Sequence, residues 1–292
     1  MLSLHTNASA LSAQNSLSRT QSTLSTSMTR LSTGYRINSA MDDAAGLQIA
    51  TRLKTQSSGM QVAMRNTQNS ISMLQTAEGA LEETSNILNR MKDLATQAAD
   101  GSSTTSDKAA MQSEFDSLTN ELSNIFANTK FGGTELLSTG ADSKLNASIT
   151  FQIGASSEET LVKDFSTALQ KAHSDILGGA AGFVSTGTGA AAGDELTADG
   201  TANTTIGKLT TAIDSVSALR SELGAISNRL DHVNNNLSNI STNTKAAAGR
   251  IMDVDFATES ASMTANQMLL QAGTAMLKQS NSQSSLVMSL LQ

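Results

Sequence analysis

Cysteine, proline and tryptophan are absent from all 292 residues of the chain. Without cysteine there is no disulfide framework, no thiolate zinc site and no thiol nucleophile. Average proline usage of roughly 5% would give about fifteen prolines in a chain of this length, and their absence suits long, uninterrupted helices. Aromatic residues are scarce: seven Phe and the single Tyr35. Charged residues make up only 15%, where about 25% is usual. The three histidines, His5, His173 and His232, lie far apart in sequence, which argues against a His-based metal site. A net charge of −7 argues against nucleic acid as a partner. No apolar run approaches the ~18–20 residues of a membrane span, so no membrane insertion is expected.

What is abundant is hydroxyl. Ser (42) and Thr (34) together form about a quarter of the chain. The ends are poor in charge. Only Arg19, Arg30 and Arg36 precede the first acidic residue, Asp42, and after Glu259 the only charged side chain is Lys278. The start, Met1-Leu2-Ser3-Leu4-His5-Thr6-Asn7, lacks the basic cluster and apolar core of a secretory signal, so no cleaved signal peptide is expected. Low charge is unusual for exposed tails. It fits either two amphipathic terminal helices that pair with each other, or helices that bury themselves in other copies of the chain.

Hydrophobic spacing predicts the architecture. Val216, Leu219, Leu223, Ile226, Leu230, Val233, Leu237, Ile240, Thr244, Ala247, Ile251 and Val254 recur at alternating steps of three and four, a heptad seam more than five heptads long. Leu17, Leu24, Met28, Leu31 and Tyr35 answer it near the N-terminus. Met60, Met64, Ile71, Leu74, Leu81, Leu88 and Met91 continue it. Phe256, Met263, Leu270 and Leu277 step by seven near the C-terminus. A helix is expected from about Asp107 to Asn128, capped by Ser106 or Asp107. Lys130-Phe131-Gly132-Gly133-Thr134 marks a turn, and the alternation at Ile149, Phe151 and Ile153 marks a strand in a small hairpin region. Gly178 to Thr205 is rich in Gly, Ala and Thr and reads as a surface loop.

Catalytic motifs fail one by one. There is no H-E-x-x-H and no G-x-S-x-G. The stretch from Gly200 to Lys208 has six residues between its glycines and Leu209 after the lysine, so it is not a phosphate-binding P-loop. Asp42-Asp43 and Asp253-x-Asp255 lack further metal ligands beside them and suit helix capping and salt bridging. No enzyme activity and no cofactor are expected.

Arg30-Leu31-Ser32-Thr33-Gly34-Tyr35-Arg36-Ile37-Asn38-Ser39-Ala40-Met41-Asp42-Asp43-Ala44-Ala45-Gly46 resembles the N-terminal signature of bacterial flagellin. Thr76-Ala77-Glu78-Gly79-Ala80-Leu81 resembles its next helical block. Leu223-Gly224-Ala225-Ile226-Ser227-Asn228-Arg229-Leu230, Gly249 to Glu259, Gln271 to Ala275 and the ending Ser289-Leu290-Leu291-Gln292 resemble its C-terminal blocks. The resemblance implies a mainly α protein: a long helical coiled-coil rod of paired N- and C-terminal segments with a small β-hairpin region. It implies an inner-core coiled coil from residues 1–42 and 255–292. An outer-core rod follows from 43–177 and 206–254, with a short variable insertion at 178–205.

The resemblance further implies the subunit of the flagellar filament, exported unfolded through a flagellar type III channel and located in the extracellular flagellum. Its partners would be copies of itself, an export chaperone, the hook-associated junction protein, the filament cap and Toll-like receptor 5. Residue by residue, Arg36, Asn38, Asp42 and Asp43 match the junction between inner and outer core, where charge pairs are expected to hold subunits in register. Arg90, Leu94, Gln97 and Glu114 match the receptor-facing surface that is also an axial interface. Leu270, Leu277, Val287, Leu290 and Leu291 match the apolar C-terminal part of the inner core. Met288 and Gln292 stand where that family often has Leu and Arg. Two other readings remain at this point: a hook–filament junction protein, and a signalling coiled coil.

Overall fold

The computed structural model describes residues 7–140, 142–186, 193–198 and 200–290, with side chains described as far as Ser282. Among the described residues six helices and four short strands follow in the order α1 (Ala8–Thr33), α2 (Ala44–Ala98), α3 (Thr105–Asn128), β1 (Lys130–Phe131), β2 (Thr134–Glu135), β3 (Ser148–Gln152), β4 (Thr160–Asp164), α4 (Ser166–Gly179), α5 (Thr201–Met252) and α6 (Phe256–Leu290). The chain divides into two compact units, one of Met1–Ser57 with Thr242–Gln292 and one of Ser58–Ser241. These bounds lie well inside the 42 and 255 expected from the sequence. Among the described residues no helix is long and apolar enough to cross a membrane.

The unit of residues 58–241 has a continuous hydrophobic core. Leu74, Leu81, Leu88 and Met91 of α2 step by seven, seven and three, which keeps them on one helical face. They share that core with Phe115, Leu122 and Phe126 of α3, Leu169 and Ile176 of α4, and Leu209, Val216, Leu219, Leu223 and Leu230 of α5. Met60, Ala63 and Leu237 form a small second cluster. The heptad seam on α5 is therefore buried only in part. Leu223, Leu230 and Leu237 are buried at steps of seven, Ile226 and Val233 are half-buried, and Ile240 is exposed while its neighbour Ser241 is buried.

Local signals place the smaller elements. Thr104 and Asp107 close a reciprocal capping box on α3, so the cap stands two residues before the nearer of the two expected. Gly132 and Gly133, at φ 59° and 84°, make the two-residue turn that joins β1 to β2 in antiparallel register. β3 and β4 pair antiparallel with Phe151 opposite Leu161, both buried.

The segment at 178–205 is not a plain surface loop. Part of it belongs to α4 and α5, and its described residues Phe183 and Leu196 are buried. Gln112 of α3 binds it by accepting from the Leu196 amide at 2.8 Å and donating to Glu195 and Asp116, each at 2.8 Å. Glu195 in turn accepts from the Ala181 amide at 2.7 Å. Composition hides this because a few apolar anchors among Gly, Ala and Thr suffice once polar neighbours are hydrogen-bonded.

Candidate assembly interface

In the terminal unit α1 and α6 run antiparallel. Asn7 caps α1 by accepting from the Ala10 amide and also donates to the Ser280 carbonyl at 3.1 Å. At the other end of α1, Arg30 meets Glu259 at 3.6 Å, with its Nε buried and without an acceptor. Between these ends Gly273 lets α1 approach, since a Cβ there would lie 3.1 Å from the Leu17 Cδ1. The facing positions are Ala10, Ala13, Leu17, Thr20, Leu24, Ser27 and Leu31 on α1. Glu259, Met263, Asn266, Leu270, Gly273, Leu277 and Ser280 face them from α6. Of all these only Leu24 and Ser27 are buried. Small residues bring the helices close but cover little surface.

Leu270 and Leu277 thus lie half-buried on the seam. Val287 and Leu290 carry side chains outside the described residues, and Leu291 lies outside them altogether. Three members of the expected terminal stripes are not on the seam. Met28, Tyr35 and Phe256 are exposed, and Ser27 takes the buried place beside Met28. Sequence spacing missed a second apolar face on α6, made by Met268, Leu269 and Met276, all exposed. The offset of five to six residues from Met263 and Leu270 was its signal.

The threonine hydroxyls of α1 are turned inward to the helix itself. Thr20, Thr23, Thr26, Thr29 and Thr33 each donate to the carbonyl four residues back, at 2.9–3.1 Å.

The four junction residues act on their own backbone. Gly34, at φ 75°, ends α1, and the chain then pairs with the connection between α5 and α6. The Arg36 amide donates to the Met252 carbonyl at 2.6 Å, its guanidinium to the Ile251 carbonyl at 2.9 Å, and the Val254 amide to the Gly34 carbonyl at 3.0 Å. Asp42 accepts from the amides of Ser39 (2.9 Å) and Asn38 (3.1 Å), which hold its carboxyl below the usual carboxylate range. Asn38 donates to the Tyr35 carbonyl, and Asp43 caps α2 by accepting from the Gly46 amide at 2.8 Å. Asp255 caps α6 in the same way, its carboxyl lowered by the Thr258 hydroxyl and by backbone amides. Among the described residues none of the four expected junction side chains forms an ion pair within the chain. Within the chain they shape the turn.

In the other unit Arg90 grips Glu114 across α2 and α3, with Nε at 2.9 Å and Nη2 at 2.7 Å from the same carboxylate oxygen. Both side chains are about half exposed. Gln97, two turns along α2, is also exposed. Leu94 is not available on that surface. It is 2% exposed and belongs to the core, because it sits between Met91 and Ala98 on the buried face of α2. In this chain its side chain packs the core. Among the described residues no three His, Asp or Glu side chains are grouped to hold a metal.

Comparison with known proteins bears on what this arrangement is. The family description "Bacterial flagellin N-terminal helical region" matches residues 4–142, and "Bacterial flagellin C-terminal helical region" matches residues 206–291. Flagellin B of Vibrio cholerae serotype O1 is 45% identical over 178 residues, covering 61% of this chain and 46% of that protein. Flagellin D of Vibrio anguillarum is 48% identical over 161 residues, covering 55% and 41%. The chain thus spans about half the length of the curated relatives it matches. A solved structure described as a flagellar hook-associated protein from Vibrio parahaemolyticus covers 73% of this chain and all of its own. Its TM-score is 0.56 at 16% identity, a likeness of fold alone. With both terminal regions matched in order and the helices laid out as described, the chain belongs to the bacterial flagellin family, whose members are structural proteins and not enzymes.

Proposed function

We propose that this chain is a structural subunit that polymerises with copies of itself into the flagellar filament, outside the cell. The observation that carries the reading is the pair α1 and α6. Paired with each other, they still leave Leu11, Met28, Phe256, Met268, Leu269 and Met276 exposed. Single exposed apolar side chains are ordinary, but the cluster of Met268, Leu269 and Met276 on one face of a nearly uncharged helix favours an association surface. Burying these exposed side chains in further copies couples folding of the ends to assembly. Head-to-tail contacts that do not close then give an open helical polymer. Within the same reading the chain travels unfolded through a flagellar type III channel. An export chaperone, the junction protein and the filament cap are its partners, and the absence of proline and cysteine leaves no slow isomerisation or disulfide step on refolding.

Electron microscopy after addition of filament seeds or a precipitating salt tests this. Long uniform filaments from the intact chain, and none from a variant lacking residues 1–40, are the expected result. Short rings would point to a junction protein, and a monodisperse monomer or dimer under all conditions would overturn the reading.

The exposed Arg90–Glu114 pair with Gln97 supports a second role for that surface, recognition by Toll-like receptor 5. Arg90→Ala removes a half-exposed ion pair worth about 1 kcal/mol or less to stability, so the variant folds normally. It should lose receptor signalling in a reporter-cell assay. Unchanged signalling would remove the receptor role.

A further inference from the structure

The described methionines differ widely in burial, with Met64, Met73, Met252 and Met263 half-buried. Met60, Met91 and Met111 are buried in the unit of residues 58–241. Met28, Met41, Met268 and Met276 are 56%, 97%, 60% and 66% exposed, and all four belong to the terminal unit. Met28 lies on α1, Met268 and Met276 on α6, and Met41 in the turn between α1 and α2. The chain has no cysteine, so no thiol within it competes for an oxidant.

We propose that these four exposed methionines are oxidation sites for peroxides, and that their conversion to sulfoxides blocks association of the chain with further copies. The second half rests on the filament reading above. In the reaction a lone pair of the thioether sulfur attacks one peroxide oxygen, and the O–O bond breaks. Sulfur keeps that oxygen as the sulfoxide, and the other oxygen leaves with both hydrogens as water. Sulfur loses two electrons and the peroxide gains them. The product is a polar group with a strong acceptor where the interface needs an apolar side chain. Buried without a donor, that oxygen opposes association. The groove beside Met28 is lined by Gln21, Ser25, Thr29, Ser32 and Thr33, and the Thr29 and Thr33 hydroxyls already donate to backbone carbonyls. An exposed sulfur in the free chain is open to oxidant, whereas the same sulfur in a filament contact is covered. Oxidation before assembly is thus the damaging event.

The test uses the intact chain and hydrogen peroxide. Monomer is oxidised to partial extent and the sulfoxides are mapped by mass spectrometry. Met28, Met41, Met268 and Met276 should react well before Met60, Met91 and Met111, and equal rates would overturn the site assignment whether or not the chain polymerises. The partly oxidised sample is then seeded and the polymer sedimented, beside an untreated control. Sulfoxide at Met28, Met41, Met268 and Met276 should be enriched in the supernatant and depleted from the pellet. Equal partition in a sample that polymerises would overturn the block on assembly. Failure of the untreated control to polymerise would instead sink the filament reading and with it the block, while the oxidation rates still decide the sites. A variant with Leu at all four positions should assemble equally well with and without peroxide pretreatment, and loss of its assembly after peroxide would place the damage elsewhere.

Discussion

His173 is held inside the unit of residues 58–241 by three contacts that no motif announced. Its Nε2 donates to the Leu137 carbonyl at 2.7 Å, which fixes that tautomer, and its ring lies near Phe126 and Phe183. Burial lowers its pKa from an ordinary value of 6.5, and the carbonyl hydrogen bond offsets this only in part. The unfolded chain therefore binds a proton that the folded one refuses. Stability is complete above the ordinary pKa and falls as pH drops below it, until the folded pKa is passed. Thermal unfolding should show a midpoint that declines below about pH 6.5. His173→Gln should remove that part of the decline while carboxylate protonation persists at lower pH. An unchanged pH profile would show that His173 does not set it. From sequence the residue read only as one of three scattered histidines, because the carbonyl and the two rings that surround it come from distant segments.

At the scale of elements, the two leucine-bearing surfaces differ in what they do alone. Leu88 on α2 is fully buried, so Leu88→Ala should lower the stability of the isolated chain by about 2–5 kcal/mol in denaturant unfolding. Leu270 on α6 is half-buried on a thin seam. Leu270→Ala should change unfolding of the isolated chain little but raise the protein concentration needed to form filaments. Similar losses from both variants in the isolated chain would contradict the difference between the two surfaces. The helices themselves were legible in the spacing, as was the short hairpin with its two glycines. Which face is buried was less so. Ser27 and Ser241 occupy buried places that hydropathy gave to Met28 and Ile240, and Thr67 and Thr84 are buried with their hydroxyls bonded to the carbonyls of Ala63 and Ala80. A hydroxyl satisfied by its own helix behaves as a small core residue, and composition cannot see that.

At the scale of the molecule, among the described residues one unit has a core and the other has almost none. The described buried hydrophobic residues of the terminal unit are Leu24, Ile37 and Ala50, whereas every residue of the two core clusters lies in residues 58–241. Hydrogen exchange on dilute protein should therefore show fast exchange across α1 and α6 and strong protection in the buried turns of α2, α3 and α5. Protection of α1 and α6 should appear on polymerisation. Uniform protection in the dilute chain would mean that the terminal pair is stable alone. The flagellin motifs made the family legible, but the half-bound state of its ends is a matter of contacts and appears only in the structure.

The back-bonded threonines of α1 have one more consequence. Ionic strength weakens attraction between charges beyond a screening length of about 8–10 Å, so interfaces made of ion pairs loosen as salt rises. On α1 the five threonine hydroxyls are occupied and charge is nearly absent after Glu259, so screening has little there to act on beyond the Arg30–Glu259 pair. Strongly hydrated salts, which are excluded from protein surface, act in the opposite sense and strengthen apolar contact. A joint of this kind holds in dilute and concentrated brine alike.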